Sequence, residues 1–196
     1  MSIKGEPNVA AGWVSVEPRK EGNIMRNMTV AIVLAATIST ASAQNAPPPN
    51  YGCPGPEYQQ FKFWLGEWAV TSTATGKPAG ENRIELMAAG CVIFESWKSA
   101  TGGSGNSINV YDQADGKWHQ TWVDATGDQV HYVGAWANGK LEFRAEDIST
   151  PQKQPAILTM TFEPRPDGTI RQSGTQSIDG GKTFAPAFDL IYTKKK

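Results

Sequence analysis

Phe63-Trp64-Leu65-Gly66-Glu67-Trp68, the stretch FWLGEW, is where the hydrophobic pattern of the chain changes period. Just before it, Phe61, Trp64 and Leu65 fall at i, i+3 and i+4, so 57–65 is predicted to form one or two helical turns with a single apolar face. After it polarity alternates every second residue, in short runs cut by glycine-marked turns. The runs 67–75, 80–88, 91–99, 106–112, 117–124, 129–137, 140–147, 155–163, 169–177 and 187–194 are predicted to be strands. Asn138-Gly139 is a two-residue hairpin turn of the type I′ kind, and Asp115-Gly116, Gly127-Asp128 and Asp167-Gly168 mark others. Thr101-Gly102-Gly103-Ser104-Gly105 is expected to be a flexible rim loop. No helical pattern long enough for a crossover separates the strands, which argues against parallel βαβ units. Sequential hairpins of this kind predict an all-β, about ten-stranded antiparallel up-and-down barrel with a short helical N-terminal cover, because closure removes exposed sheet edges.

Alternation also sorts the side chains into two faces. Trp97, Tyr111, Trp118, Trp122, Tyr132 and Trp136 fall on one face, strand after strand, together with Glu95, Asn109 and Gln120. An aromatic wall with a few convergent polar groups is the usual composition of a small-molecule site. The candidate ligand-binding residues are therefore Glu95, Trp97, Asn109, Tyr111, Trp118, Gln120, Trp122 and Tyr132. The competing reading is a filled barrel core in which the indole and phenol groups bond to those polar residues.

Glu95 is the candidate general acid or base, since a carboxylate among tryptophans is desolvated and its pKa rises. An ion pair with an inward arginine, Arg83 or Arg171, is the structural alternative. His119 and His131 fall on the opposite face. A bulge in 117–124 would turn His119 inward. Two histidines without a thiolate or acidic triad make a weak metal case, and a haem, which needs one inward axial histidine, is the alternative to the expectation of no cofactor. Ser177-Ile178-Asp179-Gly180-Gly181-Lys182-Thr183-Phe184 resembles an Asp-box hairpin, in which Asp179 bonds turn amides and Phe184 packs beneath.

Upstream, Met28–Leu34 and the residues to Thr40 form an apolar run preceded by Arg26 and followed by Ala41-Ser42-Ala43. This is the pattern of a secretory signal peptide over 25–43, cleaved near Ala43-Gln44, and it is too short for a membrane span. Residues 1–24 lack that pattern. Lys20-Glu21-Gly22 is encodable by a purine-rich ribosome-binding sequence just before Met25, so 1–24 is expected to be an upstream extension outside the translated protein. Residues 44–56 are a Pro-rich arm and 57–196 a single barrel domain.

The whole chain has 18 Lys+Arg against 19 Asp+Glu. Neither that balance nor the slightly acidic one from Gln44 onward suits a nucleic-acid or membrane-surface partner. Cys53 and Cys91 are the two cysteines, and in an exported chain they are expected to pair as a disulfide.

FWLGEW at 63–68, ENRIE at 81–85, GCVIFESW at 90–97, the stretch 109–124, and SIDGGKTF with FDLIY at 188–192 resemble a bacterial family of exported proteins of unknown function, similar to lipocalin-like (calycin) barrels. The calycin resemblance rests on Gly66-Glu67-Trp68. It implies that Trp68 packs at the closed barrel end beneath a late basic residue, Lys194 or Arg171. Nitrobindin-type haem barrels share the Gly-x-Trp opening but use a late histidine, and none follows His131 here.

Three functions remain compatible with these residues. One is an exported barrel, periplasmic or secreted, that binds a small apolar or aromatic molecule. Another is an isomerase, lyase or hydrolase using Glu95, and the third is a structural envelope protein with a filled core.

Overall fold

The computed structural model describes residues 51–149 and 155–196. The upstream extension, the signal peptide and most of the Pro-rich arm lie outside the described residues. Two 3-10 turns, Pro56–Gln59 and Lys62–Trp64, lead into ten strands. These are β1 (Gly66–Ser72), β2 (Pro78–Met87), β3 (Val92–Ser99), β4 (Ser104–Asp112), β5 (Lys117–Asp124), β6 (Gln129–Ala137), β7 (Lys140–Ser149), β8 (Pro155–Pro164), β9 (Ile170–Ser177) and β10 (Ala185–Lys194). Each strand pairs antiparallel with the next, and β1 pairs with β10 to close the barrel. The predicted all-β up-and-down barrel with a short helical cover is the observed fold.

Two boundaries shift for physical reasons. β1 ends at Ser72, where the chain turns and the Gly76 amide bonds the Ser72 carbonyl at 2.8 Å. Ser104 and Gly105, expected in a loop, belong to β4 and pair with Lys98 and Trp97. Gly105 suits that strand because a Cβ there would lie 2.3 Å from the Trp122 ring. Gly174 of β9 stands to Phe188 in the same way, with 2.4 Å to the ring. Both glycines leave room for an aromatic side chain to lie against the barrel wall.

The N-terminal turns fill the end of the barrel where β1 begins. Phe61 stacks on Trp64 with ring centroids 4.9 Å apart, and meets Trp118 and Phe162 edge-on at 5.5 and 4.9 Å. Burial of each such side chain contributes about 1.5–3 kcal/mol, so this plug stabilises the closed end strongly. The Trp68 indole N–H donates to the Trp64 carbonyl at 2.8 Å, tying β1 to the plug. Lys194 lies over Trp68, its Nζ 5.6 Å from the ring centroid. Of the two basic residues the sequence offers for that place, Lys194 occupies it. Arg171 instead holds Asp189 through two hydrogen bonds of 2.8 and 2.7 Å.

Cys53 and Cys91 form the expected disulfide, Cα atoms 5.0 Å apart across 38 residues of sequence. Closing a loop of that length stabilises by about 2–4 kcal/mol. It fixes the chain before the plug to the β2–β3 connection. In that connection Ala88 and Ala89 carry φ of +48° and +54°, a left-handed geometry that disfavours a Cβ. Asn138 and Gly139 both have positive φ, as a type I′ hairpin turn requires.

The hairpin between β9 and β10 partly follows its expected geometry. Asp179 accepts hydrogen bonds from the Lys182 and Thr183 amides and from the Ser177 and Thr183 hydroxyls, which hold its carboxyl well below the usual range. Phe184, expected beneath the turn, is 41 % exposed.

Candidate functional site

The plug leaves the other half of the barrel interior open. A cavity of about 310 Å³ lies there, lined by Glu95 and Trp97 of β3, Gln120 and Trp122 of β5, Tyr132 of β6, Met160 of β8, Gln172 of β9, and Phe188, Leu190 and Tyr192 of β10. Its position follows from register. Trp97 and Trp122 sit toward the strand ends that carry the 100–103 and 125–128 connections. Trp118 and Tyr111, directly paired across β4 and β5, sit at the opposite ends of their strands.

The row of aromatics is therefore two tiers rather than one continuous wall. Five of the eight candidate residues, Glu95, Trp97, Gln120, Trp122 and Tyr132, line the cavity. Trp118 belongs to the plug and donates its indole N–H to the Gln60 side chain at 3.1 Å. Tyr111 packs against Tyr58 and Trp118. Asn109 is fully buried beneath the cavity. Distance along the strands explains the split: Trp118 and Trp122 both lie on β5, four residues or about 13 Å apart.

Polar side chains continue from the cavity lining into the wall beneath it. Gln120 Nε2 donates to Asn109 Oδ1 at 2.7 Å, and Asn109 Nδ2 donates to Ser107 Oγ at 2.9 Å. Ser107 Oγ donates to Glu95 Oε2 at 2.6 Å, and Asn82 Nδ2 donates to Glu95 Oε1 at 2.6 Å. Asn82 Nδ2 also reaches Tyr192 Oη at 3.2 Å, and that hydroxyl donates to Gln172 Oε1 at 2.7 Å. Gln172 Nε2 in turn lies 3.1 Å from Met160 Sδ. Seven strands thus contribute side chains to one chain of donors and acceptors.

Glu95 is the one ionisable carboxylate at this site, 5 % exposed. Burial pushes its pKa up to about 7, against the opposing effect of the Ser107 and Asn82 hydrogen bonds. Neither arginine proposed as its ion-pair partner reaches it. Arg83 bonds Glu85 on the outer face of β2, and Arg171 bonds Asp189. Burial also pushes Tyr132 up to about 12 and Tyr192 well above its ordinary value, so both phenols stay neutral.

β5 pairs with β4 and β6 without a register shift, so His119 stays on the outer face. His119 Nε2 meets Asp115 Oδ2 at 2.9 Å, and His131 Nδ1 meets Thr121 Oγ1 at 3.1 Å. Neither imidazole lines the cavity, so neither is placed to ligate a haem iron inside it. The turn before β5 gathers Asp112, Asp115 and His119, whose candidate ligand atoms lie within 4.8 Å of one another, a grouping not apparent from sequence. It is solvent-facing and already tied by the His119–Asp115 pair and by turn amides on both aspartates.

Met160, Gln172, Phe188, Leu190 and Tyr192 were not among the sequence candidates. Their signal was available in part, since Phe188, Leu190 and Tyr192 alternate along one strand. Asn82 carried no such signal, because a polar residue on a strand ordinarily reads as outward. Compared with known proteins, the chain matches no family model and no curated protein.

Proposed function

We propose that this barrel binds a small, mostly apolar or aromatic molecule in the cavity between Trp97, Trp122, Tyr132 and Phe188. The observation that carries the reading is the cavity itself. Its volume of about 310 Å³ is at the small end of the range for ligand pockets, and its lining is aromatic with few polar groups. Trp97 and Trp122 supply the flat walls, while Glu95, Gln120 and Gln172 orient the polar end of the ligand. A structural protein with a filled core needs no such space. The reading places the protein in the periplasm or outside the cell, and the Cys53–Cys91 disulfide suits an oxidising compartment. Among the described residues no helix is long and apolar enough to cross a membrane.

Native mass spectrometry of protein exported by its own host tests this proposal. A co-purifying small molecule on a chain beginning at Gln44 supports it. An unprocessed chain from Met1 would contradict export and the expected start at Met25.

A second reading has its own observation. A carboxyl whose pKa lies near 7 and which borders a cavity suits general acid–base chemistry at neutral pH. Such an enzyme would be an isomerase, lyase or hydrolase. Glu95→Gln separates the two, since an enzyme loses turnover in the variant while an uncharged aromatic probe still binds.

A further inference from the structure

We infer that the ligand of this cavity carries a positive charge, an organic ammonium group held between the aromatic rings and the Glu95 carboxylate; this rests on the small-molecule reading above. The first ground is charge balance. Among the described residues, the cations that meet a carboxylate are engaged away from the cavity. Arg83, Lys140, Arg144, Arg171 and Lys195 each meet a different acid, and Lys194 lies over Trp68. Among the described residues no cation lines the cavity, and Glu95 is held by two neutral donors, Asn82 and Ser107. A buried carboxylate left without a counter-charge is costly, and a ligand cation supplies what the protein omits.

The second ground is the acceptors at the cavity. Asn82 Oδ1 is buried and has no donor among the described residues. Gln120 donates one N–H to Asn109 and makes no hydrogen bond through its amide oxygen among the described residues. The cavity, whose lining does not include Asn82, offers the Glu95 carboxyl and the Gln120 amide oxygen as acceptors. It suits a ligand that donates or carries positive charge better than an anion or a carbonyl compound.

The third ground is the rings. Trp97, Trp122, Tyr132, Phe188 and Tyr192 all border the same space. Aromatic faces attract cations through their quadrupole, and tryptophan does so most strongly. Several rings around one carboxylate form the arrangement that recognises alkylammonium groups. A purely apolar ligand would gain from the rings but would leave Glu95 uncompensated.

Phenyltrimethylammonium and its uncharged isostere tert-butylbenzene are the test probes, read by Trp97 and Trp122 fluorescence. The charge of this cation does not vary with pH, so any pH dependence belongs to the protein. The other titratable groups bordering the cavity, Tyr132 and Tyr192, stay neutral throughout. Binding to the carboxylate form expels one proton below the pKa of Glu95, so affinity for the cation should rise about tenfold per pH unit below pH 7 and level off above it.

The expected result is that the cation binds about tenfold or more tighter than its isostere at pH 8, and that Glu95→Gln removes both this preference and the pH dependence. If tert-butylbenzene binds as tightly as the cation, the charge inference is overturned and the small-molecule reading stands. A cation preference that survives in Glu95→Gln, or does not vary with pH, also overturns it. If neither probe binds at millimolar concentration, both readings fail. Should the variant not fold, the pH dependence in the wild-type protein decides alone.

Discussion

Asn82 donates to Glu95 at 2.6 Å while its own carbonyl oxygen finds no donor among the described residues. The pair spans β2 and β3 at adjacent inward positions, and it holds a carboxyl that burial keeps reluctant to ionise. The unfolded chain ionises this glutamate near pH 4–5 and the folded chain only near 7. Between those values the native state binds more protons than the unfolded state, so stability falls as pH rises. Glu95 should contribute a loss of about 3 kcal/mol between pH 4.5 and 7.5. Urea denaturation at a series of pH values checks this, with Glu95→Gln expected to flatten the curve in that window.

Gly105→Ala should disturb the cavity selectively. The new Cβ would meet the Trp122 ring at 2.3 Å and the Val123 carbonyl at 2.9 Å, so the indole must move. Overpacking of this kind costs about 1–3 kcal/mol. Circular dichroism should show the barrel retained, with a lowered unfolding midpoint and altered tryptophan fluorescence.

The barrel was legible in the sequence because period-two alternation and turn chemistry are local signals. Asn138-Gly139 shows why: both residues take positive φ, and the hairpin they predict is present. The inner faces of β3 to β6 were equally legible, since alternation alone assigns them. Height along the barrel was not. Trp118 and Trp122 share a face of β5, yet one belongs to the plug and the other to the cavity, because which end of the barrel the N-terminal turns fill is set by tertiary packing. The partners of Glu95 were hidden for a related reason. Asn82 is far from it in sequence, and nothing in a single strand tells which neighbour a buried amide will meet.

Replacing both cysteines, Cys53→Ser with Cys91→Ser, should lower stability by about 2–4 kcal/mol through release of the unfolded chain. Thermal melts of the variant and of the reduced wild-type protein should agree. A variant as stable as the oxidised wild type would show that the covalent tie contributes little.

Ala89→Gly should stabilise the protein. Ala89 holds φ at +54°, a conformation that costs an L-residue about 1–2 kcal/mol and glycine much less. Part of that gain is offset by the greater freedom of glycine in the unfolded chain. The net expectation is about 0.5–1 kcal/mol, read as a higher denaturation midpoint with an unchanged slope.

A titration with N-phenyl-1-naphthylamine tests most directly whether the space beside Trp97, Trp122 and Glu95 is a ligand site. Wild-type protein should be compared with a cavity-filling variant, Leu190→Trp, whose fold is verified by circular dichroism. Leu190 lines the cavity, and a larger ring there takes up the space a probe needs. The account expects one saturable site per chain in the wild type and at least about tenfold weaker binding in the variant. Equal binding by both proteins, or none by the wild type, would contradict it.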